Sequence, residues 1–252
     1  MDKIKGIFLD LGGTLIKPIS NDWYLNRKML EYTSSETICS LPATRIEAAS
    51  SKAFQYMSEH HLLKTTVEEV EQFTEYYKII AAELPELGLN DKQAGEIAEA
   101  KVLNISDYEL IGDVKDTLLK LKPKYKLGII SDTWPAIDLI LKSAEIYDLF
   151  DSRTYSCHLG IMKPDKKMYQ HALGQLDLPP EQTVFVDDSA ANLEGAAKCG
   201  IKPILIKTGY DIQFFGQGHV NNAGNEEKYP TIRIINELPG LLKDAAKLFT
   251  RS

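Results

Sequence analysis

Four short aliphatic runs stand out along the chain, at residues 4–9, 127–130, 183–186 and 203–206, with a weaker fifth at 153–156. Several are apolar throughout rather than alternating, the pattern of strands buried on both faces. Between the later runs the period changes. Residues 134–144 place Ile137, Ile140, Leu141 and Ala144 at three- and four-residue spacing, and 165–175 and 189–198 carry similar patterns. That periodicity predicts helices. Alternating strands and helices imply right-handed crossovers, a parallel sheet and helices on both of its faces.

Residues 17–110 behave differently. They contain no convincing strand run, and their helix-forming stretches predict helices near 22–33, 43–60, 66–82 and 91–104, punctuated by Leu41-Pro42, Leu84-Pro85 and Gly88. The economical reading is an α/β domain built from 1–16 and 111–252, with an α-helical domain of residues 17–110 inserted after the first strand. The glycines and asparagines of 209–230 predict a surface loop. Residues 239–247 read as a closing helix with Pro239 at or near its first position.

Composition narrows the class. The 252 residues are 44% hydrophobic and 26% charged, which suits a folded globular chain. Lys and Arg total 29 against 36 Asp and Glu, a net charge of −7. Nucleic acid or anionic lipid as the main partner is disfavoured, since both require a basic surface. An anionic small substrate remains compatible, because one local cation outweighs the global charge. Cys39, Cys157 and Cys199 are odd in number and widely spaced, which favours a reducing, cytoplasmic setting over a disulfide scaffold. No apolar run approaches membrane-spanning length, and the short N-terminal run does not read as a signal peptide.

Candidate chemistry gathers at strand ends. Asp10 ends the first run and is followed by Leu11-Gly12-Gly13-Thr14. Ligands of open parallel sheets bind off the carboxyl ends of strands. A carboxylate there can serve as metal ligand, nucleophile or helix cap. Asp187-Asp188 ends another run, and adjacent carboxylates raise each other's pKa unless a cation neutralises them. Three converging carboxylates suit Mg²⁺, which takes oxygen ligands. Taken alone, Asp188 could instead cap the next helix while Asp187 faces solvent. Ser131 and Asp132 end a third run. Lys163 precedes Pro164, itself expected to open a helix, and can present a point charge to phosphate.

The ordered set Asp10-x-Gly12-Gly-Thr14-Leu, Ser131, Lys163-Pro-Asp and Asp187-Asp188 resembles the four motifs of the haloacid dehalogenase-like superfamily. The resemblance covers nearly the whole chain, and Tyr229-Pro-Thr-Ile-Arg and Leu238-Pro resemble the close of one subgroup. It implies a Rossmann-like core with an α-helical cap, and a Mg²⁺-dependent phosphatase acting on a small phosphorylated metabolite. Asp10 would form an aspartyl-phosphate. Mg²⁺ would take Asp10, the Gly12 carbonyl and Asp188, with Asp187 as ligand or close support. Ser131 and Lys163 would hold the phosphoryl group, with Gly13, Thr14 and Asp132 around it. Oligomeric state, monomer or homodimer, stays open.

One departure matters. Family phosphatases commonly carry a second Asp two residues after the nucleophile to protonate the leaving group, and Gly12 stands there instead. A substrate with a good leaving group would tolerate this. A cap residue such as Glu59, His60, His61 or Lys64 could substitute, or the protein could be a weak enzyme kept for binding phosphate ligands. Phosphonate-cleaving members also lack that Asp and use a cap lysine, for which Lys52 and Lys64 are candidates. Metal-free dehalogenases are disfavoured by the paired carboxylates. Trp23, Tyr24, Lys28 and Trp134 could reach the strand edge, although both tryptophans read first as packing residues. Cys157-His158 reads as structural.

Overall fold

Each of the five runs becomes a strand of one sheet. In this computed structural model, which describes residues 3–210, 213–214, 217–218 and 228–243, the strands are β1 (Gly6–Leu9), β2 (Ile16–Pro18), β3 (Tyr108–Leu110), β4 (Lys126–Ser131), β5 (Ser152–Tyr155), β6 (Thr183–Asp187), β7 (Lys202–Ile206), β8 (Gln213–Phe214), β9 (Gln217–Gly218) and β10 (Thr231–Ile232). Six form a parallel sheet in the order β10-β7-β6-β1-β4-β5. The first strand of the chain therefore lies inside the sheet, between β6 and β4.

The lack of alternation has a direct cause. Ile7 and Leu9 enter the core on one face, while Phe8 between them enters the core on the other. Val184, Val186 and Phe185 of β6 divide in the same way. A strand with helices on both faces has no solvent side to mark with polar residues.

Helices α1 (Arg27–Leu30), α2 (Ser35–Ser40), α3 (Ala43–Glu59), α4 (Thr66–Glu83) and α5 (Asp91–Leu103) precede β3. Then come α6 (Val114–Leu121), α7 (Ile137–Ser143), α8 (Ser156–Leu159), α9 (Lys166–Leu176), α10 (Ala190–Lys198) and α11 (Leu238–Lys243). The first face is covered by α6, α7 and α11, through Leu118, Leu141 and Leu242. Met168 and Tyr169 of α9 and Leu193 of α10 cover the second. Helices α1–α5 build a separate core around Met29, Phe73, Tyr76, Tyr77, Ile80 and Ile97. Capping boxes open α4, through Thr65 and Glu68, and α5, through Asn90 and Gln93. Both reciprocally satisfy backbone N–H groups that a helix start leaves unpaired. Among the described residues, no helix is long and apolar enough to cross a membrane.

Three sequence expectations need correction. No helix spans 22–33: Asp22 Oδ1 accepts from the N–H groups of Tyr24 and Leu25, and Asn26 caps a single turn, α1. Side chains that bond the nearby backbone compete with helix propagation. The stretch is also not strand-free at its ends. Strands β2 and β3 pair antiparallel, Ile16 opposite Leu110, and bring the two ends of the helical insert together. Three-residue strands are too short to leave a period in sequence. Pro164 does not open α9, since Asp165 caps it by accepting from Lys167 N–H. Pro239 does stand near the start of its helix, at the second position of α11. Most of the expected 209–230 loop lies outside the described residues, as do residues 244–247 of the closing helix; within that stretch β8 and β9 pair antiparallel.

Candidate active site

Parallel register sets the site. Leu9 pairs with both Ile129 and Val186, and Asp10 N–H donates to Val186 O at 3.0 Å. Asp10 therefore leaves β1 level with Asp187 at the end of β6, while Ser131 ends the neighbouring β4. Beyond Asp10 the chain turns sharply: Leu15 and Ile16 N–H both donate to Leu11 O, at 2.7 and 2.9 Å. Gly13 holds φ +77 there, a left-handed conformation that glycine adopts freely.

Lys163 binds the two strand-end carboxylates together. Its ammonium donates to Asp10 Oδ1 at 2.6 Å and to Asp187 Oδ2 at 2.8 Å, with its side chain 2% exposed. Asp132 fixes the lysine from behind, accepting its backbone N–H at 2.9 Å. Asp187 also accepts from Ser189 N–H at 2.6 Å and from Asn192 Nδ2 at 3.1 and 3.2 Å. The simple alternative for the pair is thus reversed. Asp187 is fully buried, Asp188 is half-buried at the cavity, and Ser189 stands at the start of α10.

Electrostatics follow from this crowding. Burial pushes the Asp10 carboxyl up to about 6; Lys163 opposes the rise and Asp187 adds to it. Burial, with repulsion from Asp187 and Asp10, holds Asp188 well above the usual carboxylate range. Burial also raises Asp132. Burial works against the charge on Lys163, yet Asp10, Asp187 and Asp132 keep its ammonium well above the ordinary value. Asp10, Asp187 and Asp188 each offer an oxygen, all within 4.8 Å of one another. Lys163 is the cation paired with Asp10 and Asp187 within this surplus of negative charge. The donor set and the missing counter-charge fit a hard divalent cation.

A cavity of about 600 Å³ opens over this edge. Asp10, Gly12, Gly13, Ser131, Asp132, Lys163 and Asp188 line it on the sheet side. Trp23, Tyr24, Phe73, Val102 and Tyr108 from the helical stretch, with Trp134, Ile137 and Ile140 from the segment after β4, supply most of its apolar lining. Both tryptophans therefore pack and also face the cavity. Thr14 does not line it; it is fully buried, and its hydroxyl has no hydrogen-bond partner among the described residues. Lys28 pairs with Glu31 at 2.7 Å and stays outside the cavity wall.

The insert residues suggested as replacements for a carboxylate at position 12 turn elsewhere. Glu59 and Lys64 are exposed, His60 stacks on Tyr56, and buried His61 bonds Ser156 Oγ at 2.7 Å. Lys52 pairs with Glu83 on the surface. Cys157 is buried, and burial pushes its thiol up to about 12, which leaves it inert.

Several polar residues at or beside the site escaped sequence reasoning, among them Glu69, Gln72, Lys101 and Asn192. Glu69 and Gln72 dock α4 on the loop after β4. Glu69 Oε2 accepts from Ala136 N–H at 2.6 Å, and Gln72 Oε1 accepts from Trp134 Nε1 at 2.7 Å. Lys101 sits over the rings of Phe73 and Tyr108 and bonds the Tyr108 hydroxyl. The legible signal was weak: Glu69 and Gln72 lie on the buried stripe of α4, beside Phe73, where polar residues are unexpected.

Known proteins place this geometry in a family. A family model for haloacid dehalogenase-like hydrolases matches residues 4–200. The chain belongs to the haloacid dehalogenase-like hydrolase family. It is 30% identical to (S)-2-haloacid dehalogenase 4A of Burkholderia cepacia over 145 residues, covering 56% of this chain and 57% of that protein. It is 31% identical to the glyceraldehyde 3-phosphate phosphatase of Pyrococcus furiosus over 133 residues, covering 51% of each. The chain thus spans little more than half of either relative. The solved L-2-haloacid dehalogenase of Xanthobacter autotrophicus shares the fold, with a TM-score of 0.65 at 18% identity over 95% of this chain and 98% of that one. As a haloacid dehalogenase-like hydrolase, the chain keeps its parallel sheet and its carboxylate-bearing strand edge.

Proposed function

We propose that this hydrolase is a Mg²⁺-dependent phosphatase acting on a phosphate ester with an apolar organic part. The observation that carries the reading is the trio Asp10, Asp187 and Asp188, whose oxygens lie within 4.8 Å of one another beside a single buried lysine. A metal-free site for a halogenated acid has no use for that surplus of carboxylate, and an anionic substrate would be repelled by it. Asp10, the Gly12 carbonyl and Asp188 would hold the ion, with Asp187 supporting it through Lys163 and Asn192. Bound there, Mg²⁺ would cancel charge between the carboxylates and the phosphoryl oxygens.

The chain's own residues then take simple parts. Asp10 supplies the carboxylate oxygen that attacks phosphorus, giving an aspartyl-phosphate that water hydrolyses. Lys163 orients Asp10 and offsets its charge, and the Ser131 hydroxyl donates to a phosphoryl oxygen. Positioning and charge neutralisation are the main demands of phosphoryl transfer. The aromatic wall receives the organic part and excludes water.

The dehalogenase relative keeps a second reading open for test. Purified protein incubated with phosphate esters should release phosphate, and EDTA should stop it. Halide release from 2-haloacids that persists in EDTA, with no phosphate release, would replace this reading by the dehalogenase one. Neither activity, with inorganic phosphate still bound, would point to a phosphate-binding protein.

A further inference from the structure

An alkoxide leaving phosphorus needs a proton, and position 12 has no side chain to give one. The space is also tight, since the Trp23 ring lies 3.1 Å from where a Cβ on Gly12 would stand. Among the carboxyl groups lining the cavity, Asp10, Asp132 and Asp188 belong to the sheet edge. Glu69, on α4, is the only one among the described residues that the helical wall contributes.

We propose that Glu69 donates the proton to the leaving oxygen and takes one back from the water that clears the aspartyl-phosphate. The inference rests on the phosphatase reading of Asp10. In the first step an Asp10 oxygen bonds to phosphorus, the phosphorus–oxygen bond to the leaving group breaks, and that oxygen takes the Glu69 proton to become an alcohol. In the second step the Glu69 carboxylate removes a proton from water as the water oxygen bonds to phosphorus. The bond from phosphorus to Asp10 breaks, phosphate leaves, and both carboxyl groups return to their starting states. A donor of this kind acts directly or through one water.

Geometry and environment support the role. Glu69 is 3% exposed, yet it borders the cavity. Oε2 is tied to Ala136 N–H at 2.6 Å, in the loop that continues from Ser131, and Oε1 has no hydrogen-bond partner among the described residues. Lys101 from α5 faces it and stabilises the carboxylate once the proton has gone. Cys157 from α8 also lies within its field and stays neutral as a thiol. Burial pushes the Glu69 carboxyl up to about 7, with the Ala136 N–H and Lys101 opposing. Near neutral pH both of its states are populated, the best condition for a group that must give and then take a proton.

Glu69 could instead serve only to tie α4 to the loop after β4, and the test separates the two roles. Glu69→Gln keeps an oxygen to accept from Ala136 N–H but has no proton to transfer. The probes are p-nitrophenyl phosphate, whose phenolate leaves unaided, and hexyl phosphate, whose alkoxide does not. For Glu69→Gln, kcat/KM should fall by roughly 10²–10⁴-fold on hexyl phosphate and far less on p-nitrophenyl phosphate. In the wild type, the hexyl to p-nitrophenyl ratio of kcat/KM should decline as pH rises through about 7, where Glu69 loses its proton. An equal loss on both esters, or a wild-type ratio independent of pH, overturns the proposal; the second readout needs no variant to fold. If the wild type releases phosphate from neither ester, the phosphatase reading itself has failed and the Glu69 role falls with it.

Discussion

The ring of Trp23 crowds the space that a side chain at position 12 would need. Its Cζ2 lies 3.1 Å from an ideal Gly12 Cβ, and Cη2 lies 3.5 Å away. The tryptophan comes from the insert just before α1, so the loss of a side chain at the strand edge and the gain of an aromatic wall are one arrangement. Restoring a carboxylate at position 12 is therefore not a matter of adding it back.

Gly12→Ala tests that relationship with the smallest side chain. Overpacking costs roughly 1–3 kcal/mol, and the added methyl meets the Trp23 ring, which must give way by a few tenths of an ångström. The variant should unfold at lower urea concentration than the wild type. Combined with Trp23→Ala, the cost of the added methyl should shrink, giving a coupling of at least about 0.5 kcal/mol in a double-mutant cycle. Strict additivity of the two substitutions would refute the contact.

Lys163→Met removes the one cation that Asp10 and Asp187 share. Its ammonium is nearly inaccessible, and both partners are buried. Deleting one member of a buried ion pair costs roughly 3–5 kcal/mol, because the remaining charge is left uncompensated. Urea unfolding at neutral pH should show a loss of that order. Added Mg²⁺ should recover part of it by taking over the charge of the carboxylates. A variant as stable as the wild type would mean that the lysine contributes no net stabilisation.

Much of this arrangement is legible in the chain itself. The five aliphatic runs, the carboxylates at their ends and Lys163 can all be read in order, because a buried parallel strand leaves an unbroken apolar run and its end is where polar residues resume. The β2–β3 ribbon is not legible, since three residues carry no period. Glu69 is not legible either. Its importance arises from burial between α4 and Ala136, a contact between residues 67 positions apart that no local pattern encodes. The break after Asp22 lay in plain view as an Asp–Asn spacing, but helix propensity over 22–33 masked it.

Glu69 should also leave a mark on stability. Its folded carboxyl sits near 7, against an ordinary 4.5. A raised folded value means that the native state holds the proton more tightly than the unfolded chain. That contribution is complete below about 4.5 and is lost as pH rises through about 7. It amounts to a few kcal/mol. Thermal melts of the wild type and Glu69→Gln between pH 5 and pH 8 should show the wild type losing ground to the variant as pH rises. A constant difference across that range would place the Glu69 carboxyl at an ordinary value.

The apolar wall should set substrate preference. A cavity of about 600 Å³ faced by Trp23, Phe73, Trp134, Ile137 and Ile140 offers little to a polar leaving group. Each methylene moved from water into such a wall contributes about 0.8 kcal/mol, or roughly fourfold in kcat/KM. Along ethyl, butyl and hexyl phosphate, kcat/KM should climb at about that rate per carbon until the chain fills the space. Glycerol phosphate should fall below butyl phosphate. Ile140 is only half-buried, so Ile140→Ala should leave the fold intact while flattening the climb. A flat series in the wild type, or glycerol phosphate turned over faster than hexyl phosphate, would show that the aromatic wall packs the insert against the sheet edge without reading the substrate.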